Sequence, residues 1–209
     1  MAAPDARGYM ATWSSPALND NLRREGIVNG MWAGIINTYF NISANPAPAP
    51  VGTTMLAAEV TSFNMEKRAD LVLYDVVQAP GGGALRIRIV YEGKGGDSNE
   101  TLTNALTQCE AFAAAQVRDQ LANGDVCFFI AAKGTKAKMR VAKRLDRDIN
   151  SKALKATVNP GGLVTMSNGG ENNAEAGTEI DVSTASGRDI VHAAMARMVV
   201  QLGAKNYIW

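Results

Sequence analysis

Arg68-Ala69-Asp70-Leu71-Val72-Leu73-Tyr74, then a glycine turn, then Leu85-Arg86-Ile87-Arg88-Ile89-Val90-Tyr91-Glu92-Gly93-Lys94 form the stretch whose reading decides the fold. Two apolar runs joined by Pro80-Gly81-Gly82-Gly83 predict a β-hairpin with a longer loop. In the second run Leu85, Ile87, Ile89 and Tyr91 alternate with Arg86, Arg88, Val90 and Glu92, so the two sets are expected on opposite faces. Glu92 and Lys94 are two apart and therefore project from one face if the strand continues. Asp70, opening the paired strand, can reach the same end of the sheet. Two carboxylates can hold a hard divalent cation, which keeps several waters. Such an ion polarises a phosphate and acidifies a water, and a nearby lysine stabilises the charge that develops. The expected chemistry is phosphodiester hydrolysis.

Working outward, Thr101 to Leu121 reads as a helix ended by Asn123-Gly124. Val126 to Ala132 is a continuous apolar run expected of a buried central strand, and Met139 to Arg144 alternates with bases as a more exposed one. Upstream, Pro16 to Phe40 has helical spacing, with Leu18, Leu22, Ile27, Met31, Ile35 and Tyr39 as core contacts. Gly26, Gly30 and Gly34 oppose a helix there by roughly 1 kcal/mol each, although their spacing also allows close packing of another element. Asn45 to Pro50 is a stiff proline loop, and Thr54 to Thr61 fits either a short helix or a strand. Asn159 to Gly177 reads as loop or as a small hairpin around Leu163 to Met166. Gly187 to Leu202 is an amphipathic helix with Ile190, Val191, Ala194, Met198 and Leu202 on one stripe and Ser186 as its cap.

The chain of 209 residues, 46% hydrophobic and 20% charged, suits one domain with a substantial core. Residues 1–15 are polar and expected to be flexible, 16–155 form the core, and 156–209 supply a loop and a helix packed on it. No run approaches the roughly 20 apolar residues a membrane span needs, and no secretory signal is visible. Cys109 and Cys127 read as buried thiols in a reducing compartment. An intracellular protein of nucleus or cytoplasm, without a membrane partner, is expected. With one histidine, His192, and two separated cysteines, neither a zinc site nor a Cys-His pair is expected, and no Gly-Lys-Ser/Thr opens a phosphate loop. Trp13, Trp32 and Trp209 are too scattered for a stacking platform.

A net charge of +1 conceals asymmetry: Lys133 to Lys155 holds nine bases against two acids, which leaves −6 for the rest. Such a segment is expected of a polyanion-binding surface or, more simply, of a solvated face. Lys133, Lys136, Lys138, Arg140, Lys143 and Arg144 are its candidate nucleic-acid contacts, and Arg86 and Arg88 join them from the Glu92 strand.

On these residues the chain resembles the PD-(D/E)xK nuclease superfamily over roughly 55–145, and more narrowly its divergent fungal members and the nuclease-like domains of Crinkler-type effectors. Arg68-Ala69-Asp70 stands where the family has Pro-Asp, and Glu92-Gly93-Lys94 for its Glu-x-Lys. Gln108 and Phe112 stand for its Gln-x-x-x-Tyr. The resemblance implies an α/β restriction-endonuclease-like core, a central mixed sheet flanked by helices, and a Mg²⁺- or Mn²⁺-dependent endonuclease acting on DNA more than RNA. Asp70 and Glu92 would be metal ligands, Lys94 would act on water or phosphate, and Gln108 would orient the lysine or substrate. Phe112 in place of tyrosine removes a hydroxyl, and Glu25 and Glu59 are the only candidates for an upstream helical glutamate. A homodimer is compatible with this reading. The alternative is an inactive nuclease fold that binds nucleic acid or, as an effector, a protein partner. Individually, Asp70 could be a turn residue paired with Lys67 or Arg68, Glu92 and Lys94 a solvated strand end, and Gln108 an exposed helix residue. Asp75 competes with Asp70 but lies deeper in the strand at odd spacing.

Overall fold

The computed structural model describes residues 4–40, 53–62, 66–79, 82–116, 120–146, 148–171 and 177–204. The proline loop at 45–50, the first half of the 80–83 turn, Arg147 and Trp209 lie outside them.

The fold is α/β, a mixed sheet between two helical layers. Helices α1 (Arg7–Trp13), α2 (Pro16–Asn19) and α3 (Glu25–Phe40) precede strands β1 (Thr53–Thr61), β2 (Arg68–Ala79) and β3 (Gly82–Lys94). Helix α4 (Leu102–Ala114) leads into β4 (Val126–Lys133), β5 (Lys136–Leu145), β6 (Asp148–Val158) and β7 (Val164–Glu171). The short β8 (Ile180–Asp181) and helix α5 (Ala185–Ala204) close the chain. The strands lie in sequence order from β1 to β7, with β8 paired to β5. Every neighbouring pair is antiparallel except β3 with β4, which is parallel and therefore needs the crossover through α4.

Packing on the two faces follows strand alternation. On one face Leu71, Leu73, Ile89, Tyr91, Phe128 and Ile130 meet α1, α3 and α5. On the other Val72, Val90, Phe129 and Ala131 meet Leu106, Cys109 and Phe112 of α4. Strand β4 is buried on both faces, which accounts for its unbroken apolar run. A β-bulge between Leu73 and Tyr74 corrects the expected alternation of β3. Ile89 and Tyr91 stay on the α3 side, whereas Ile87 joins Val90 on the α4 side.

Several expectations are revised. The polar start of the chain contains a helix, with Ala6 and Met10 buried in the core, because Met10 packs among the apolar residues of α3 and α5. Pro16 to Phe40 is not one helix: Asp20–Arg23 is a 3₁₀ turn and Arg24 is extended before α3 begins. Of the three glycines in α3, Gly34 alone is used for close approach, since a Cβ there would overlap the Tyr9 hydroxyl. The Thr54 to Thr61 ambiguity resolves to strand. Helix α4 ends at Ala114, well before Leu121, and Thr101 caps it by accepting from the Asn104 N–H. Beyond residue 155 the choice between loop and hairpin around Leu163 to Met166 resolves to a hairpin, joined to the sheet. Strands β6 and β7 extend the same sheet, and α5 buries Ile190, Val191, Ala194, Met198 and Leu202 in the shared core. Thr184, not Ser186, accepts from the Gly187 N–H and caps α5.

Strand β3 runs out against the 3₁₀ turn. The Gly96 N–H donates to the Leu22 carbonyl at 2.9 Å, and a Cβ on Gly95 would overlap the Arg23 carbonyl oxygen. Because that neighbour is backbone, it cannot rotate away. Gly95→Ala is expected to destabilise the protein by about 1–3 kcal/mol, the usual cost of overpacking, read as a lower thermal denaturation midpoint.

Candidate active site

The pairs Val72↔Val90 and Leu71↔Tyr91 set Asp70, one step further along, beside Glu92. Both carboxylates share the face of Val72 and Val90, the face that α4 covers, and both are buried at 6% exposure. Lys94 projects from that face as well. Its Nζ lies 2.7 Å from Glu92 Oε1 and 3.9 Å from Glu25 Oε2 at the start of α3. The Gly93 N–H donates to Asp70 Oδ2 at 2.8 Å, which fixes that carboxylate from the neighbouring strand. Glu92, Lys94 and Gln108 line one cleft of about 460 Å³ together with Arg68, Thr107 and Ala111. The site therefore sits where β3 ends, between the start of β2 and the outer side of α4.

Burial raises the Glu92 carboxyl above its ordinary range, and the field of Asp70 adds to this, against the hydrogen bond from Lys94. Burial pulls the Lys94 ammonium down, but its hydrogen bond to Glu92 and the fields of Glu92, Glu25 and Asp70 outweigh it, so the net direction is up. Tyr91, wholly buried behind the acids, is held well above its ordinary value by desolvation and by their charge. Two buried carboxylates thus lie beside the Lys94 ammonium.

Glu25 is the acid that the sequence named without placing. It stands in the first turn of α3, half a turn from the 3₁₀ segment that docks against Gly95 and Gly96. Glu59 lies on β1, not on a helix, and is exposed with φ of 50°. Asp75 is removed from the site, because it pairs with Arg88 at 2.7 Å further down the sheet. Phe112 is fully buried in the core with Cys109 and Val90, so its ring does not reach the cleft. Cys109 and Cys127 are free and buried, and burial pushes the Cys127 thiol up to about 12.

The basic residues divide sharply. Lys133, Lys136 and Lys138 gather at the site end of the sheet, where they line a second cleft. Arg88, Arg140 and Arg144 are buried and not available to a phosphate backbone. Arg88 neutralises Asp75. Arg140 donates to the Ser151 carbonyl and lies 3.7 Å from Glu110, while Arg144 donates to the Gln116 carbonyl at the end of α4. Arg86 lies near Asp125 at the far end of β3, about 20 Å from Glu92 by strand rise. Lys143 shares the face of Val141, opposite the site, and is paired across to Val126 at the far end of β4. The expected basic surface is therefore broken up, because burial turns three of its eight members inward and alternation sets Lys143 on the opposite face.

Among the described residues, no three His, Cys, Asp or Glu side chains gather as a metal-holding group. No helix in the described residues is long and apolar enough to cross a membrane. No family model, curated protein or solved structure matches the chain.

A folded-state carboxyl pKa above the unfolded value destabilises the protein once the group ionises, so this penalty is absent below about pH 4 and complete above the folded pKa. Glu92→Gln removes it. The variant is expected to gain thermal stability over wild type at pH 7, with the difference vanishing as pH falls to about 4. Equal midpoints at pH 7, or a difference unchanged by pH, would show that Glu92 carries no such strain.

Proposed function

We propose that the chain is a divalent-metal-dependent nuclease of the restriction-endonuclease-like class, hydrolysing phosphodiester bonds of DNA. The observation that carries this reading is the pair of buried carboxylates, Asp70 and Glu92, side by side on one sheet face with the Lys94 ammonium 2.7 Å from Glu92 at a cleft. The run of α3, three antiparallel strands, the crossover α4 and a parallel β4 supports the fold assignment.

The donor set fits Mg²⁺ or Mn²⁺. Both acids offer hard oxygen, burial holds Glu92 above its ordinary range with the field of Asp70 adding to it, and Asp70 accepts from the Gly93 N–H through Oδ2, not Oδ1. Two carboxylates suffice for Mg²⁺, which completes its shell with water and substrate phosphate. When bound, the ion supplies Lewis-acid polarisation of the phosphate and lowers the pKa of water. The chain's own contribution is to orient and to neutralise. Lys94 donates to a non-bridging phosphate oxygen as negative charge builds there, and Glu92 and Glu25 keep that ammonium protonated and aimed. Gln108, on the wall of the same cleft, positions the substrate. Water oxygen bonds to phosphorus as that water gives up a proton to solvent, the bond to the leaving sugar oxygen breaks, and a solvent proton ends on that oxygen.

A second reading has an observation of its own. Lys94 is tied to Glu92 and Asp70 to Gly93, a closed arrangement that a protein retaining the fold only to bind nucleic acid or a partner protein would also have.

Cleavage of plasmid and linear DNA, and of RNA, with Mg²⁺, Mn²⁺ or EDTA separates the two. Asp70→Asn and Lys94→Met are each expected to lower the rate by about 10²–10³ or more, with unchanged circular dichroism. In addition, Mg²⁺ should raise the thermal midpoint of wild type and not of Asp70→Asn. Wild-type protein without metal-dependent cleavage leaves the binding-module reading.

A further inference from the structure

A cleft of about 610 Å³ lies on the other side of the start of α4, and the catalytic reading does not use it. Its walls include Lys133, Lys138, Arg23, Thr101, Thr103 and Gly96. That volume suits a nucleotide-sized ligand. The sheet register connects it to the acids. Glu92 is paired with Ala131, and Ala131 with Lys138, while Lys94 is paired with Lys133 and Lys133 with Lys136. Alternation keeps all of these on the α4 face, as Ala131 and Ala142 show by packing there. With strands about 4.8 Å apart, Lys133 stands one strand and Lys138 two strands from Glu92, roughly 5 and 10 Å across the sheet.

The charges of the cleft are not equivalent. Arg23 is occupied by Asp20 at 3.3 Å and Asp97 at 4.0 Å, and Lys136 by Glu179 at 2.8 Å, all through exposed side chains. Exposed pairs of this kind contribute little and exchange readily for another anion. Lys133 is half-buried, and no described residue gives its ammonium an ion pair or hydrogen bond. The cleft opens outside the carboxyl ends of the two parallel strands, where open α/β sheets receive ligands.

We infer that this cleft is a second phosphate subsite, in which Lys133 and Lys138 hold a phosphodiester flanking the one at Glu92 and Lys94. The inference rests on the nuclease-fold reading for its substrate class. It makes the ligand a polynucleotide laid across the carboxyl ends of β3 and β4, not an isolated phosphate ester. Glu179 competes with that backbone for Lys136, so removing its charge strengthens binding.

The test is fluorescence anisotropy of a labelled short oligonucleotide, single-stranded and duplex in separate arms, with the full chain in EDTA across a salt series. The double variant Lys133→Gln, Lys138→Gln should bind about tenfold or more weakly near physiological salt. Its plot of log affinity against log salt should flatten by about two units on duplex, or about 1.4 on single strand. Glu179→Gln should bind more tightly than wild type, a gain that misfolding cannot mimic. The arm with the larger loss identifies the strand form. Unchanged affinity and slope in the double variant, or no binding of either form by wild type, overturns the subsite. Failure of the catalytic reading is separate: a wild type that does not cleave, but whose affinity still depends on Lys133 and Lys138, keeps the subsite and loses the nuclease.

Discussion

The parallel pairing of β3 with β4, from Ile89↔Phe128 to Lys94↔Lys133, is the constraint on which the other parts of the molecule depend. Two adjacent parallel strands cannot be joined by a tight turn, so the chain must leave the sheet and return, and α4 is that excursion. The helix is then obliged to lie on one face, which leaves α1, α3 and α5 to cover the other. Register is strongly specified because both faces are dry. A slip of one residue would send Phe128 and Ile130 to the α4 side and Phe129 to the α3 side, mismatching two cores at once. The same pairing sets Glu92 and Lys94 level with Ala131 and Lys133, so the electrostatics at the end of the sheet follow from hydrophobic register.

Burying Asp70 and Glu92 beside each other is costly in isolation, because desolvation and like charge act in the same direction. Compensation comes from the end of β3: the Gly93 N–H serves Asp70 and Lys94 serves Glu92, while Glu25, itself an acid, reaches the same ammonium from α3. Glu25 is brought there by backbone contacts of the 3₁₀ turn with Gly95, where a side chain would not fit, and with Gly96. An acid perturbed by burial at a cleft, as Glu92 is, is of the kind found where charge is used on a ligand.

The bases illustrate a different outcome. Arg88, Arg140 and Arg144 lie on strands whose other residues belong in the interior, and each is accommodated by a carboxylate or by carbonyl oxygens. Arg140 is entirely enclosed, with Nε and Nη1 lacking a hydrogen-bond partner and Glu110 standing 3.7 Å away. Such a group stabilises little by itself, because desolvation offsets the attraction, and its loss would take the Arg140 hydrogen bond from the Ser151 carbonyl while Glu110 keeps the Ser151 hydroxyl. The lysines at the tight turn after β4 remain at the surface, because there the strands run out of sheet to be covered by.

What the sequence determined by itself was local and periodic. Alternation from Leu71 to Tyr91, the apolar run Val126 to Ala132 and the helical stripe of α5 specify strands and helix through their own side-chain spacing, and two-residue spacing is enough to align Glu92 with Lys94. Tertiary structure alone decided which of the charges face a cleft. The bulge at Leu73 and Tyr74 reverses Ile87 relative to Ile89, and no local pattern announces a bulge. The run of bases from Lys133 to Lys155 reads as one surface in one dimension. The strand pleat and the cover of α4 divide it in three, burying Arg140 and Arg144 while leaving Lys133 and Lys138 at the site. Glu25 was legible only as a candidate acid, and its place beside Lys94, like the extension of the sheet by β6 and β7, depends on contacts between segments far apart in the chain, which spacing within a segment cannot encode.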